Sequence, residues 1–554
     1  MALALTRPRI GWPWAIIAGV LLLLALGYVG LRLWDRSVED RLGRWAAAEV
    51  ERRTGGAYRL TVGDVTFLPF DGSLGFDSAV VRTDTALNHR RARPLPDLDW
   101  RSHGCRITGV DGVRLLLRRT LTARDLGCDR VTMRIVLPSS NEERKDGGDS
   151  AKAGPLTEMP ASLGLSSILI RRVSLPALRF ALHRPGAEGG SSIVLDSARF
   201  EGADLDFDPR AAPGSGKGLS ASLARLSASG VVLQPDTASR IAIARLTADF
   251  PDSTLHLAGI RHEPDVPEDQ WPRRLKVRKD RIRFEADSLR GRGIAFRGFL
   301  ATSDIGAHLI EVHNVRLDVL TDRRIPAGPP RRHRTPQQAA ADPGGGLGID
   351  TLRVRGGGIS YRERKPDTGE AGRITFEGLQ GRVLHLDAPS RGRPLRIEAE
   401  ARVMGEGRLT AEVQLPLDAP DFRYELSATL GPMPARAFNR FLSTNEKFEF
   451  DKGEIDGVTI RQSARNGLVT TALTPRYHDL SVKPTGEGGG VLGSVSRRVK
   501  KFIANAFVVR GRNPDEDGKH LRTAHTRRRY APSQTWVQFL WLSVRDAAVE
   551  GMKE

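Results

Sequence analysis

Hydrophobic and polar residues alternate with a period of two through most of this chain, and the clearest alternation lies between residues 395 and 430. Short turns around Gly405 and Pro420 divide this stretch into three runs, in which Arg and Glu occupy many of the intervening positions. Successive side chains of a strand point to opposite faces of a sheet, so each run has one apolar and one solvated face. The pattern predicts a three-stranded antiparallel meander.

Similar pairs of alternating runs precede the meander without a fixed period. A small or polar step divides each pair, and the pairs cover residues 168–182, 193–207, 219–233, 241–257, 282–299 and 309–320. Residues 347–366 form another pair, divided by Gly356, Gly357 and Gly358. These glycines predict either a turn between two strands or a bulge that bends the sheet.

Helical spacing is confined to a few stretches, at residues 37–53, 433–442, 491–507 and 533–549. A long sheet with one apolar face must bury that face, and so few helices are not enough to cover it. Two alternatives remain open: a second sheet packs on the face, or the sheet curls into a gutter whose floor holds an apolar ligand. The sequence favours neither.

The N-terminal region contains a long apolar segment at residues 10–33, with no charge between Trp14 and Leu31. About 20 apolar residues span a bilayer core, and aromatic residues concentrate at both membrane interfaces. The alternative is a cleaved signal peptide, but its apolar region would be unusually long, and the nearest small-residue run, 46–48, lies too far downstream. We therefore predict an uncleaved membrane anchor, whose orientation the Lys and Arg counts on its two sides do not decide. The anchor residues that carry this prediction are Trp14, Leu21, Leu24, Tyr28 and Trp34.

The formal net charge of +19 raises the hypothesis of a nucleic-acid partner. Basic residues are interleaved with acidic ones along the chain, and the denser basic clusters lie in linkers or near the C-terminus, at residues 331–334, 498–501 and 527–529. No zinc-finger, homeodomain or aromatic RNA-binding signature accompanies them. Anionic lipid headgroups suit such patches better, so we expect no nucleic-acid partner.

Motifs of catalysis and metal binding are missing from the sequence. The segment PGSGKGL around Lys217 departs from a phosphate loop at two positions, and no zinc-protease or serine-hydrolase motif is present. Asp204, Asp206 and Asp208 alternate along one predicted strand, a pattern that is more typical of a solvated face than of a calcium site. We predict a protein without enzymatic activity, cofactor or metal.

The two cysteines, Cys105 and Cys128, leave two alternatives. A disulfide in an oxidising compartment would close a loop and add roughly 3 kcal/mol of stability. Two separate thiols on neighbouring strands fit the sequence almost as well.

The C-terminal helical stretch carries large apolar residues at helical spacing and follows a basic cluster. It is predicted either to lie in a membrane interface or against a partner, or to plug the end of the sheet. The residues in question are Trp536, Leu540, Trp541 and Val544.

These patterns divide the chain into five parts. They are a cytoplasmic tail with a membrane anchor (1–36), a helix with the first β-part (37–324), a flexible linker or loop (325–348), a second β-part with short helices (349–510), and a basic segment with an amphipathic helix (511–554).

Three stretches together resemble the AsmA-like family, whose members are anchored in the bacterial inner membrane and extend into the periplasm. They are the anchor and helix followed by TGGAYRLTVGDVTFLPFDGSLGF, the stretch ITGVDGVRLLLRRTLTARDLGCDRVTMRI, and IDTLRVRGGGISYRE followed by ITFEGLQGRVLHL. The segment TTALTPRYHDLSVKP with SVSRRVKKFIANAFVVRGRNP is similar to the closing part of one branch of that family. The resemblance implies a twisted, open β-groove, related in shape to bridge-like lipid-transfer proteins, and a large domain in the periplasm.

With this resemblance, the expected fold class is mainly β: an N-terminal transmembrane helix followed by an elongated, twisted, open antiparallel β-groove with a few short helices. The expected function is non-enzymatic binding and transfer of phospholipids between the inner and outer membranes, which maintains the envelope. The alternative is a structural or assembly factor that binds envelope proteins by strand addition. Expected partners are phospholipid acyl chains, the inner membrane and envelope proteins. The candidate groove residues are Val354, Ile359, Tyr361, Leu395, Ile397, Val403, Leu409, Val413, Leu415, Phe422, Tyr424 and Leu426.

Overall fold

The computed structural model describes most of the β-rich part of the chain. The described residues are 43–44, 47–48, 50–52, 54–68, 72–91, 95–111, 114, 120–137, 167–185, 190–207, 219–220, 222–236, 239–264, 266–296, 304–329, 332–341, 346–366, 369–485 and 510–553. They belong to two compact units: unit 1 comprises Met1–Gly259 and Arg292–Gly306, and unit 2 comprises Ile260–Gly291 and Ala307–Glu554.

Strands make up most of the described residues, as the alternation predicts. In chain order they are β1 (Tyr58–Val62), β2 (Val65–Leu68), β3 (Ser73–Thr83), β4 (Asp97–Thr108), β5 (Thr120–Val136), β6 (Ser167–Arg184), β7 (Ser191–Phe207), β8 (Leu219–Ser220), β9 (Leu223–Asp236), β10 (Ser239–Asp249), β11 (Thr254–Pro264), β12 (Arg281–Arg292), β13 (Ile305–Asp322), β14 (Leu347–Arg364), β15 (Gly372–Ala388), β16 (Leu395–Val403), β17 (Gly407–Leu415), β18 (Tyr424–Leu430), β19 (Met433–Pro434), β20 (Phe448–Arg465), β21 (Leu468–Pro484) and β22 (Ala524–Arg529).

The helices of the described residues are short and few. They are α1 (Thr85–His89), α2 (Trp271–Arg274), α3 (Pro336–Ala341), a 3-10 helix (Ala435–Phe438), α4 (Asn439–Asn445) and α5 (Trp536–Gly551). Helical residues are also present between 43 and 54, within and just beyond the helix predicted at 37–53.

Unit 1 is a sheet of mostly antiparallel strands. Both β1 and β2 pair with β3, which continues through β4 to β5; β6, β7, β9 and β10 follow one another, and β8 pairs with β7. The pair β5–β6 is parallel. Cys105 and Cys128 lie directly opposite each other on β4 and β5 and form a disulfide, with an S–S distance of 2.06 Å.

Unit 2 contains an antiparallel series that runs β14, β15, β16, β17, β18, β20, β21, β22, with β19 beside β20. The predicted meander is confirmed: Leu395 pairs with Leu415, and Val413 pairs with both Ile397 and Leu426. Among the described residues β22 pairs with β21 alone, so this series is open at that edge.

The triple-glycine stretch is one strand, β14, and the alternative of a turn between two strands is wrong. Gly357 has φ +113°, and a Cβ there would collide with the main-chain carbonyl of Val315 on a neighbouring strand, so only glycine fits. Val354 pairs with Gly381, which pairs with Ala399; Ile359 pairs with Phe376, which pairs with Val403. Ala399 and Val403 are four residues apart and share a face. Val354 and Ile359 therefore also share a face although they are five apart, and the glycines make this shift.

Residues with positive φ interrupt other long strands in the same way. Asp204 within β7 and Asn314 within β13 have φ of 49° and 53°. The pairs of runs predicted at residues 193–207 and 309–320 are therefore each a single interrupted strand. The pair at 241–257 is different, because β10 ends in a turn near Ser253, before β11.

Helices cover part of the apolar face of unit 2. α5 packs on β21 and β22, and α4 packs on β15 and β20. Phe539 of α5 is fully buried and belongs to the same hydrophobic cluster as Leu415 and Tyr424 of the sheet. The few helices of unit 2 are concentrated over these strands, so they cover this part of the apolar face and not the whole sheet.

The predicted membrane anchor lies outside the described residues, whereas most of the predicted linker lies within them. The part of the chain that the structure describes contains no helix long and apolar enough to cross a membrane. The predicted anchor at residues 10–33 lies outside it, with Trp14, Leu21, Leu24, Tyr28 and Trp34. The segment 325–348, predicted as a flexible linker or loop, contains α3, whose buried Gln337 donates a hydrogen bond to the Arg423 carbonyl at 2.7 Å.

Candidate apolar binding site

An apolar cavity of about 400 Å³ lies in unit 2 between the sheet and the helices α4 and α5. Among the described residues that line it, only Glu446 and Arg545 carry a charge. Its principal apolar lining residues are Ile374, Phe376, Val403, Leu409, Leu426, Leu430, Val458 and Ile460 on the sheet, and Phe438, Phe441, Leu442, Leu540, Trp541 and Val544 on the helical side.

The sheet side of the cavity follows from the two-residue alternation. Leu409 pairs with Leu430, which pairs with Val458, so one apolar row crosses β17, β18 and β20. Phe376 and Val403 form a neighbouring pair on β15 and β16. Because each strand alternates faces, the residues between these positions point to the solvated face, where Thr410 and Thr429 share a hydrogen bond.

The helical side is built mainly by α5. Its N-terminus is capped by Thr535, whose side chain accepts a hydrogen bond from the Gln538 amide at 3.2 Å. Leu540 and Val544 are four residues apart, on one face of the helix, and both line the cavity. Val537, on the outer side, is 59% exposed. The helix packs on β21 and β22, and both of its predicted roles stay predictions.

Aromatic rings join α4 to helix α5 and to strand β14. The ring of Phe441 packs edge-on against Trp541, with centroids 6.3 Å apart, and in a tilted arrangement against Tyr361 of β14, with centroids 6.4 Å apart. Trp541 is 42% exposed although it lines the cavity, so this ring stands between the cavity and solvent. The Tyr361 hydroxyl donates a hydrogen bond to the Glu363 carboxylate at 3.0 Å, and burial raises the pKa of Tyr361.

Glu446 and Arg545 form the polar edge of the cavity. One guanidinium nitrogen of Arg545 (Nη1) lies 3.5 Å from the Glu446 carboxylate, at the outer limit of a hydrogen bond. Burial raises the pKa of Glu446, and this effect outweighs Arg545 and Lys365, which lower the pKa, while Glu363 raises it further. The carboxylate is therefore held in an environment that disfavours its charge.

A buried chain of hydrogen bonds interrupts the apolar face beside the cavity. The Tyr424 hydroxyl donates to the Gln462 side-chain oxygen at 3.2 Å, and the Gln462 amide donates to the Thr471 hydroxyl at 3.0 Å. All three side chains are almost fully buried. Since buried polar groups must be paired, this chain fixes the contacts between β18, β20 and β21.

The predicted groove residues divide into three groups. Val403, Leu409 and Leu426 line the cavity. Other members are packed into the adjoining closed core or lie against it: Leu395, Ile397, Val413, Leu415, Phe422 and Tyr424. Val354, Ile359 and Tyr361 are partly buried on β14.

Sequence reasoning identified Leu540, Trp541 and Val544 of α5, but it missed the other helical residues of the cavity and its polar edge. Phe438, Phe441 and Leu442 stand at helical spacing, a signal that marks the helix but not what it covers. Glu446 and Arg545 are 99 residues apart, and no local pattern connects them.

Unit 1 presents a second apolar surface, which the sequence analysis did not single out. Two neighbouring rows cross the six strands β4, β5, β6, β7, β9 and β10 in register. One row is Trp100, Met133, Phe180, Leu195, Val231 and Ile243; the other is Leu98, Ile135, Leu182, Ile193, Leu233 and Ile241. Ile193 is 38% exposed, so part of this surface reaches solvent.

Comparisons with known proteins identify neither a family nor a function for this chain. Within the described residues, no group of three or more His, Cys, Asp or Glu side chains is placed to hold a metal ion. A scan of protein-family models and a search of the curated proteins each found no match to this chain. The resemblance to the AsmA-like family therefore stays a prediction, and the chemistry of the site is argued from its own geometry.

Proposed function

We propose that this protein binds lipid acyl chains without catalysing a reaction and transfers them between membranes. The observation that carries the proposal is the apolar cavity of unit 2. Its volume of about 400 Å³ lies in the range of roughly 300–1,000 Å³ typical of small-molecule sites. Each methylene group moved from water to such a lining gains about 0.8 kcal/mol, so an acyl chain is the ligand class that this lining favours.

The proposal extends to the compartment and the partners. The AsmA-like resemblance and the predicted anchor indicate a protein held in the bacterial inner membrane, with its large domain in the periplasm and phospholipids as cargo. The disulfide between Cys105 and Cys128 supports an oxidising compartment, because structural disulfides persist there. The apolar rows of unit 1 support a second lipid-binding surface of the same chemical kind.

The alternative function, assembly of envelope proteins by strand addition, receives less support. It needs an accessible strand edge, and the edge of the unit 2 series is β22. This strand has only six residues and includes Arg527, Arg528 and Arg529. Short, positively charged edge strands are a common means by which proteins prevent further strand pairing.

The proposal is tested by lipid capture at the cavity. Full-length protein would carry a photoreactive amino acid at Leu409, in the cavity wall, or at Thr410, on the opposite face of β17. Val413 and Tyr424 are unsuitable positions because both are buried in closed packing. We expect crosslinked acyl lipid from the Leu409 position only, and lipid in native mass spectra of the unlabelled protein. If no lipid co-purifies and Leu409 remains unlabelled, the proposal fails.

A further inference from the structure

The guanidinium of Arg545 is incompletely paired at the edge of the apolar cavity. Nη1 lies 3.5 Å from Glu446, and Nη2 lies 3.6 Å from Asp546. Nε is buried and has no hydrogen-bond partner among the described residues. A guanidinium has five N–H donors, so most of the donors of Arg545 are only weakly used.

The neighbouring carboxylates do not fully neutralise this cation. Asp546 lies much closer to Arg528, at 2.8 Å, than to Arg545. Glu446 is the nearest remaining acid, but its contact with Arg545 is long. A largely buried cation that lacks close partners is costly, and a planar carboxylate that accepts two parallel N–H bonds would satisfy it.

We propose that Arg545 binds the carboxylate of a long-chain fatty acid whose acyl chain lies in the apolar cavity. This inference rests on the proposed lipid-binding function and specifies its ligand for this site. The lining residues other than Glu446 and Arg545 are uncharged, so the site offers one small polar edge, which suits a carboxylate better than a large headgroup. The Glu446 carboxylate contacts the same guanidinium, so it competes with the ligand carboxylate for Arg545.

The ligand would reach the site beside Trp541, which lines the cavity and is also partly exposed. This placement supplies a reporter, because a brominated acyl chain in the cavity quenches the fluorescence of a tryptophan that it contacts. The protein has eight tryptophans, so the Trp541→Phe variant provides the signal to subtract.

The test compares two probes of equal chain length, brominated stearic acid and brominated stearyl alcohol, on the full-length protein held in amphipol. We expect the acid to bind about tenfold more tightly than the alcohol, because only the acid forms a charge-assisted hydrogen bond with Arg545 and such a bond accounts for a difference of this size. Arg545→Gln should remove this preference and leave the alcohol affinity within about twofold. Arg527→Gln, an exposed change on β22, is the matched control and should preserve the preference. Glu446→Gln should strengthen binding of the acid, because it removes the competing carboxylate.

The outcomes separate this inference from the function on which it rests. If wild-type protein binds both probes equally, the fatty-acid assignment is overturned while lipid binding stands. If it binds neither probe and no lipid co-purifies, the proposed function fails as well. The comparison within wild-type protein decides the question even if Arg545→Gln does not fold.

Discussion

Replacement of Phe539 by Ala tests whether packing on the sheet is what holds the C-terminal helix α5. Phe539 is fully buried, its ring lies edge-on to Tyr530 at 5.3 Å, and the guanidinium of Arg528 stands 5.6 Å from the ring centroid. Truncation of a buried Phe to Ala costs about 3–5 kcal/mol. An isolated helix of 16 residues is only marginally stable in water, so α5 depends on packing against the sheet, in which Phe539 is the largest fully buried side chain of the helix.

The expected readout is amide hydrogen exchange measured by mass spectrometry on peptides from α5. A loss of about 3–5 kcal/mol in the free energy of local opening corresponds to exchange that is roughly 10²- to 10⁴-fold faster. Val537→Ala is the matched control, because Val537 lies on the same helix but is 59% exposed. Its effect should remain within about 0.5 kcal/mol.

Equal exchange rates in the Phe539 and Val537 variants would refute this reasoning. Such a result would mean that burial of Phe539 does not hold the helix on the sheet. It would favour the other predicted role of α5, in a membrane interface or against a partner. In that case Val537 and Trp541, the exposed apolar residues of the helix, would be the contact residues to examine next.

Three further predictions concern the backbone, the polar edge and the buried polar chain. Gly357→Ala should lower the urea midpoint, because its φ of +113° and the adjacent carbonyl both exclude a side chain, whereas Gly369→Ala, in open space, should change it little; similar midpoints would contradict the proposed strain. Glu446 has a raised pKa in the folded state, so its contribution to stability is complete below the unfolded pKa and is lost as pH rises through the folded pKa. Thermal unfolding should therefore show Glu446→Gln gaining stability relative to wild type from acid to neutral pH, and a constant difference would contradict this. Gln462→Leu leaves the buried hydroxyl groups of Tyr424 and Thr471 without their partner, so the free energy of unfolding measured by chemical denaturation should fall by about 1–3 kcal/mol. Adding apolar replacements of similar shape at both positions should restore most of this stability. If stability does not recover, the hydrogen-bond explanation is contradicted.

The meander was predictable from sequence because its register is fixed locally. A slip by one residue would move Leu395, Val413 and Leu426 from the apolar face to solvent, so alternation and short turns together leave one pairing. The conformation of the three glycines in β14 could not be predicted from local sequence. Whether they form a turn or a bulge depends on the neighbouring main chain at Val315, which is distant in sequence.

The composition of the site was predictable only in part, for a similar reason. Alternation identified Val403, Leu409 and Leu426 as members of an apolar face, and these residues do line the cavity. The number of helices did not show where the helices would pack, so the closed core and the cavity were not distinguished. Glu446 and Arg545 meet only after two distant segments have packed together, and a charged residue near an apolar run has no pattern that marks it as buried.

The cavity lowers the stability of the ligand-free protein, and this allows a test of whether it is a lipid-binding site. In core truncations, destabilisation rises with the volume of the cavity left behind, so an empty apolar cavity of about 400 Å³ disfavours the ligand-free fold. Filling the space from within should therefore stabilise the fold, even though it blocks a ligand. Val458→Trp, in the cavity wall, should raise the thermal unfolding midpoint of delipidated protein and lower lipid recovery, whereas Thr459→Trp, on the opposite face of β20, should do neither. If the Val458 variant became more stable and still recovered lipid as wild type does, lipid would have to bind elsewhere, and the apolar rows of unit 1 would become the leading candidate.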